Sequence, residues 1–410
     1  MAEADDPVPV GDRRADAAGA DVDDADLHKG DCGTTAVIGH TKAVSLGERG
    51  GWPEEAVSLG ERGGWPEVFR QITAGGSLSS EIADAAMTEI LLGQATPAQI
   101  AGFVIGLRTR GETQEELVGL LWAMRRASAP VPLDAAGLGL IDTCGTGGDN
   151  SGSINVSTAA ALVAVGAGAR VCKHGNRSAS SKCGSADVLE ALGAAIHLGP
   201  AGVARCVTEV GFGFCMAPRF HPAMRHAGPP RRELAVATVF NFLGPLANPA
   251  RVKRQLVGVS DRSMAEIMLE VLAATGSERA MVVRGRDGLD ELSTTAPSDV
   301  WELRDGGIFH HTVDPAAFGL APARAEDLVG GEAALNADYL RRLLDGRPGA
   351  HRDIVVLNAA AALVVAEVCD ALEEGLQAAS ASIDDGGASR VLERFVSISN
   401  EAAQAGGGQR

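Results

Sequence analysis

Two polar segments about one helix length apart hold residue types suited to binding a polyphosphate: Cys144-Gly-Thr-Gly-Gly-Asp-Asn150 and Lys173-His-Gly-Asn-Arg-Ser-Ala-Ser-Ser181. In the first, Gly145, Gly147 and Gly148 permit turns of positive φ and close backbone approach, which leaves amide N–H groups free to face an anion. Asn155, Ser157 and Thr158 follow, and Thr158 opens the alanine-rich run Ala159 to Ala169. That run is a helix former whose unpaired amino-terminal N–H groups and dipole favour phosphate. The second segment carries an ammonium, an amide, a guanidinium and three serines, a composition that no core requires. Taken alone, GTGG is commonly an ordinary tight turn. It fits neither the Walker pattern nor the dinucleotide fingerprint, since no Lys-Ser/Thr pair closes the loop and the glycine spacing differs.

Two further groups could act with these loops. Asp290 and Glu291 lie in Arg284-Gly-Arg-Asp-Gly-Leu-Asp-Glu-Leu292, and adjacent carboxylates on a glycine-containing loop suit Mg²⁺, which takes one or two carboxylates plus substrate phosphates. By itself, such an acidic pair is more often just solvated. Arg231 and Arg232 present paired donors that match a carboxylate, or a surface pairing with Glu233. His174 and His221 read equally well as packed histidines, and neither is given a proton-transfer role.

The elements that must position these residues follow from periodicity and punctuation. Leu138, Leu140 and Ile141 run as a strand into Asp142 and Thr143, and Ala169 to Cys172 form a second strand ending at Lys173, so both polar loops leave carboxyl ends of consecutive strands in a βαβ unit. Ser185 caps a helix ending at Gly193. Strands near 253 to 259 and 279 to 284 alternate with helices near 157 to 167, 186 to 192, 200 to 210 and 263 to 275. Arg352 to Val368 reads as a buried helix, and Ala388 to Glu401 as a terminal one. Upstream, residues 80 to 92 form a helix, and Thr96-Pro-Ala-Gln99 and Thr113-Gln-Glu-Glu116 read as capping boxes for two more. Their apolar side chains recur at helical spacing, at Ile100, Phe103, Val104 and Leu107 and at Leu117, Leu120, Leu121 and Met124. A small helical domain thus precedes an α/β domain with a mainly parallel central sheet.

With these motifs in order, CGTGGD, NVSTAA, KHGNRSASSKCGSADVLEALG, RFHPAMRHAGPPRRELAVATVFNFLGPLANP and GRDGLDELSTT, the chain from about 67 to 400 resembles the anthranilate phosphoribosyltransferases of tryptophan biosynthesis. The resemblance implies a nucleoside phosphorylase/phosphoribosyltransferase-like fold. It also implies transfer of the phosphoribosyl group from 5-phosphoribosyl-1-pyrophosphate to the amine of anthranilate, with magnesium as cofactor. By the same resemblance Gly145, Gly147, Gly148, Asp149, Asn155, Ser157, Thr158, Lys173 and Ser185 hold the phosphoribosyl pyrophosphate. Gly145, Asn176 and Arg231 meet the anthranilate, and Ser157, Asp290 and Glu291 lie at the metal. It implies too that the segment from about 220 to 245 packs back onto the helical domain, and that the chain forms a homodimer through that domain. Three positions depart from the family pattern: Asn150 stands for a glycine, Ser153-Ile154 for Thr-Phe, and Pro230 for an apolar residue before Arg231. Asparagine tolerates left-handed φ, whereas Pro230 restricts Pro229 and could turn Arg231. Two rivals are a pyrimidine nucleoside phosphorylase-like enzyme and a non-enzymatic nucleic-acid-binding relative. The Asn176 and Arg231 motifs speak against the first, and the presence of Asp290 and Glu291 against the second.

Composition agrees with that reading. At 410 residues and 45% hydrophobic the chain can bury a large core and divide into two domains. Its formal charge of −17 speaks against a nucleic-acid partner. Seven scattered cysteines without a CxxC pair read as reduced thiols. No apolar run approaches a membrane span and the amino terminus is acidic, so a cytoplasmic enzyme is expected. Residues 1 to 66 read as an acidic, disordered tail in which the 12-residue segment Ala43 to Glu54 recurs as Ala56 to Glu67, a local duplication too short for a solenoid. The helical domain then spans 67–135, completed by about 220–245. The α/β domain spans 136–219 and 246–405.

Overall fold

The computed structural model describes residues 57–178 and 181–406. The acidic stretch and the first repeat copy lie outside the described residues, as do Ala179 and Ser180 of the second polar loop. From Val57 onward the second repeat copy is folded: a 3-10 turn at Gly60–Arg62 leads into α1 (Gly64–Thr73). Leu59 and Trp65 are buried, and the Trp65 indole donates to Glu89 Oε2 at 2.7 Å. The expected end of the tail at residue 66 therefore falls inside α1, because these two side chains give the segment an apolar face to bury.

Three helices follow: α2 (Ser80–Leu91), α3 (Pro97–Arg110) and α4 (Gln114–Arg126). The capping boxes at Thr96/Gln99 and Thr113/Glu116 both form, which satisfies amide donors that the first turn leaves unpaired. All eight side chains expected on the apolar faces of α3 and α4 are buried.

The α/β part begins with β1 (Leu140–Gly145), α5 (Val156–Gly166), β2 (Arg170–Gly175), α6 (Ser185–Ala191), α7 (Pro200–Val210) and β3 (Phe212–Met216). Short helices α8 (Ala217–Phe220) and α9 (Gly228–Leu234) precede α10 (Val239–Leu246). Next come β4 (Arg254–Gly258), α11 (Arg262–Ala274), β5 (Arg279–Gly285), β6 (Ser298–Arg304) and β7 (Gly307–Val313). The chain closes with α12 (Ala333–Leu344), α13 (Ala350–Val365), α14 (Leu372–Asp384) and α15 (Gly387–Gly406).

The sheet order is β3-β2-β1-β4-β5-β6-β7; the first five strands run parallel, β6 pairs antiparallel to β5, and β7 antiparallel to β6. Side chains alternate between its faces. Leu256, Met281 and Val283 join one core with α5, α7, α13 and α15, whereas Val257, Ala280 and Val282 join a second with α11, α10 and the helices α1 to α4. The crossover helix after β1 lies on the first face and that after β4 on the second. β1 and β4 are thus the neighbours between which the winding reverses, and a crevice opens beyond their carboxyl ends. α10 ties the helical part to this point, since it packs on α3, α4 and α11.

Some boundaries differ from the sequence-based expectation. β2 extends to Gly175, two residues past its expected end at Lys173, so His174 is a buried strand residue and not part of the polar loop, because Lys173 and His174 pair with β3 through Phe214 and Cys215. α5 begins at Val156, two residues ahead of Thr158. α6 begins at Ser185 with Gly184 as its cap; its first-turn support comes from Asp187, whose carboxylate accepts from the amides of Gly184 (2.9 Å) and Ser178 (3.1 Å). The six cysteines among the described residues are free and buried.

Candidate active site

β1 and β4 end side by side, with Gly145 opposite Gly258. The loop after β5 folds directly over both. A Cβ on Gly258 would stand 1.6 Å from the Asp290 carbonyl oxygen, and one on Gly145 would stand 2.5 Å from Asp290 Oδ2. Only hydrogen at both positions lets Asp290 and Glu291 reach the crevice. Gly147 and Gly148 have φ of +66° and +79°, and Asn150 takes +54°, the left-handed conformation its side chain tolerates.

The two carboxylates are held by the glycine loop and the start of α5. Gly147 N–H donates to Asp290 Oδ2 at 2.8 Å, and Ser157 N–H to Glu291 Oε1 at 3.1 Å. Two of the amides expected to be free for an anion are therefore engaged by carboxylates. Burial pushes the Asp290 carboxyl up to about 7, with Asp149 beside it adding repulsion. Glu291 is raised well above the usual carboxylate range, first by burial and then by Asp290. Neither has an ion-pair partner within 4 Å among the described residues, so the cluster is short of positive charge.

Lys173 lies beneath the loop, 2% exposed. Its ammonium donates to the Thr143 carbonyl and to Ser157 Oγ (3.1 Å), which leaves one of its three hydrogens uncommitted. Thr143 Oγ1 in turn donates to the Ser157 carbonyl at 3.1 Å, locking the start of α5 to β1. Thr158 faces inward, fully buried, and its hydroxyl has no partner among the described residues. Asn155 stands between the two polar loops. Its amide nitrogen donates to the Cys183 carbonyl at 3.0 Å, and its oxygen accepts from Asn336 Nδ2 at 3.0 Å. Ser185 Oγ donates to the Asn176 carbonyl at 3.2 Å, while the Asn176 side chain is exposed at the end of β2.

Toward α10, His174 Nδ1 sits 3.1 Å from the Gly244 carbonyl, and its ring is 5.0 Å from that of His221. Burial holds these histidines down, to about 3 and about 4, so both are neutral at pH 7. The Arg231 guanidinium lies over the Phe240 ring, 5.1 Å from its centroid. It has no carboxylate partner among the described residues, and burial lowers its pKa from the usual value. Phe240 is one turn before Gly244 on α10, so the arginine's perch is about 6 Å along that helix from the His174 contact. Pro230 falls in the first turn of α9, where a missing N–H costs no helix bond. Arg232 is exposed.

Sequence reasoning missed several residues that shape this site. Asp142, fully buried, accepts from the His174 amide (3.1 Å) and Asn248 Nδ2 (2.7 Å), and burial raises it to about 6. Asn336 and Asn358 come from α12 and α13, far along the chain. The signal available for Asn358 was a lone amide inside the apolar run Ile354 to Val365.

Residues 138–389 match the model of the glycosyl transferase family's a/b domain, and residues 66–128 that of its helical bundle domain. An anthranilate phosphoribosyltransferase of Rubrobacter xylanophilus is 50% identical over 338 residues, covering 82% of this chain and 98% of the relative. One from a Nocardioides species is 52% identical over 334 residues, covering 80% and 97%. Among solved structures, the anthranilate phosphoribosyltransferase of Thermus thermophilus aligns with a TM-score of 0.76 at 40% identity, over 81% of this chain and 99% of that one. That of Saccharomyces cerevisiae, in complex with PRPP and Mg, aligns with a TM-score of 0.75 at 28% identity, over 82% and 98%.

Proposed function

The chain belongs to the anthranilate phosphoribosyltransferase family, and from that premise we propose how its residues divide the reaction. The enzyme transfers the phosphoribosyl group of 5-phosphoribosyl-1-pyrophosphate to the amine of anthranilate, in tryptophan biosynthesis. The C1–O bond to pyrophosphate breaks, the amine nitrogen bonds to C1 and sheds a proton, and pyrophosphate leaves. An aromatic amine is already a neutral nucleophile at pH 7. The work of the protein is therefore to hold the two substrates in line and to offset charge on the leaving group.

In this reading Gly145, Gly147, Gly148, Asp149, Asn155, Ser157, Thr158, Lys173 and Ser185 hold the phosphorylated substrate. Asn176, Arg231 and the backbone at Gly145 receive anthranilate. The guanidinium of Arg231, without a carboxylate partner among the described residues, supports the acceptor assignment, because its partly buried charge is stabilised when a carboxylate arrives. Mg²⁺ fits at Ser157, Asp290 and Glu291. Crowding and burial have raised both carboxyls, and a cation is what would restore them to the charged form. Among the described residues no group of three or more His, Cys, Asp or Glu stands ready to hold a metal alone, which agrees with an ion that takes phosphate oxygens as its remaining ligands. Once bound it would neutralise the pyrophosphate charge.

The same reading divides the chain into a helical domain of about 67–135 with 220–245 and an α/β domain of 136–219 and 246–405. The packing of α9 and α10 on α3 supports it. A homodimer through the helical part is supported by exposed apolar Leu92 and Val236. A cytoplasmic location fits the described residues, in which no helix is long and apolar enough to cross a membrane. The single observation that carries the site assignment is the carboxylate pair folded over Gly145 and Gly258 against the phosphate-loop amides. The test is fluorescence-monitored consumption of anthranilate with phosphoribosyl pyrophosphate and Mg²⁺, run beside thymidine plus phosphate. Turnover only in the second mixture would overturn the reading.

A further inference from the structure

The loop that carries Glu291 is clamped from the far side by a residue 66 positions beyond Leu292. Asn358 sits in the middle of α13, fully buried among Val355, Val356, Leu357 and a run of alanines. Its Oδ1 accepts from the Leu292 amide at 2.9 Å, and its Nδ2 donates to the Leu292 carbonyl at 2.8 Å and to the Ile354 carbonyl at 2.9 Å. An amide side chain here does what a neighbouring strand would do, engaging both backbone groups of one residue. At that length only an amide offers two donors and an acceptor together.

Burying an amide in an apolar helix carries a desolvation cost unless every polar atom is paired, and here each one is. The Leu292 peptide group is contiguous with Glu291, whose carboxylate meets the Ser157 amide. Fixing Leu292 on both sides leaves the Glu291 backbone little freedom to rotate or withdraw. We infer that Asn358 is a positioning residue for the metal site, aiming Glu291 from the second face of the loop. The inference rests on the reading that Glu291 serves the cation. It adds a residue that touches neither substrate nor metal.

The experiment measures Mn²⁺ affinity in the presence of phosphoribosyl pyrophosphate, by electron paramagnetic resonance without anthranilate, together with the Mg²⁺ dependence of turnover. The variants are Asn358→Asp, which keeps the volume and leaves at most one donor for the Leu292 and Ile354 carbonyls, Asn358→Ser, Glu291→Gln, and Glu291→Gln combined with Asn358→Asp. Loss of an outer-shell partner weakens metal binding by roughly 10- to 100-fold. That loss is expected in Asn358→Asp and Asn358→Ser, with the anthranilate KM little changed. If Asn358 acts through Glu291, the combined variant binds Mn²⁺ no worse than Glu291→Gln alone. Wild-type Mn²⁺ affinity in both Asn358 variants, or fully additive losses in the combined one, overturns the inference. Glu291→Gln with unaltered affinity overturns the metal reading beneath it instead.

Discussion

Arg231→Ala separates acceptor recognition from phosphate recognition, and its size can be worked from the surroundings of the guanidinium. The side chain is partly buried over Phe240, carries no carboxylate partner among the described residues, and is held below its usual pKa by desolvation. A carboxylate that docks on it gains a charge-assisted hydrogen bond of about 1.5 to 3 kcal/mol. Removing that bond raises the anthranilate KM by roughly 10- to 150-fold where KM follows binding, with the KM for phosphoribosyl pyrophosphate little changed. Stability moves little. The stacking lost is worth about 0.5 to 1 kcal/mol, and relief of an unpaired, partly buried charge offsets it. Arg231→Lys keeps the charge and loses the planar fork, so it falls between wild type and alanine. Steady-state kinetics with each substrate varied in turn provide the assay. An alanine variant with unaltered anthranilate KM would refute the assignment and mean that Arg231, after Pro230, faces away from the acceptor.

Gly258→Ala puts a Cβ 1.6 Å from the Asp290 carbonyl oxygen, so that backbone must withdraw by about 1 Å or more, and a displacement of that size costs roughly 100-fold in turnover. Gly147→Ala meets no atom within 4 Å and bears only the strain of φ +66°, so its loss in the same turnover assay is the smaller. Asp290→Asn combined with Glu291→Gln removes the charge proposed to hold Mg²⁺; turnover collapses while the ligand-free thermal midpoint stays or rises, because the crowded carboxylates are gone. Near-normal activity at limiting Mg²⁺ would reduce these carboxylates to a structural loop. Asp142 provides a pH test: burial raises its pKa from 3.8 to about 6, so the folded state prefers it protonated. Its contribution is fully present below pH 3.8 and is lost as pH rises through about 6, a change of about 3 kcal/mol at pH 8. The midpoint of Asp142→Asn relative to wild type is therefore expected to climb as the pH is raised through that range, and a difference that stays flat would contradict the buried charge.

Much of the site was legible from local sequence because its signals are local. Gly145, Gly147 and Gly148 announce backbone that must turn sharply or be approached closely, the capping boxes at Thr96 and Thr113 announce helix starts, and period-3.6 apolar positions announce which face of α3 and α4 is buried. Asn150 took the left-handed conformation that its residue type allows. What only the tertiary structure decided are contacts between distant segments. That Gly145 and Gly258 lie opposite each other depends on β1 pairing on its second edge with β4, a strand far along the chain, and from that pairing follows the seat for Asp290. Likewise the strand read as ending at Lys173 continues to Gly175, and pairing with β3 is what buries Lys173 beneath the glycine loop. Asn358 passed unnoticed inside an apolar helix, since its partner Leu292 lies 66 positions earlier in the chain. Residue type and spacing fix what a segment can do within a few turns of itself. Which backbone groups remain to be satisfied, and by which far side chain, is settled only when the sheet order and register bring the segments together.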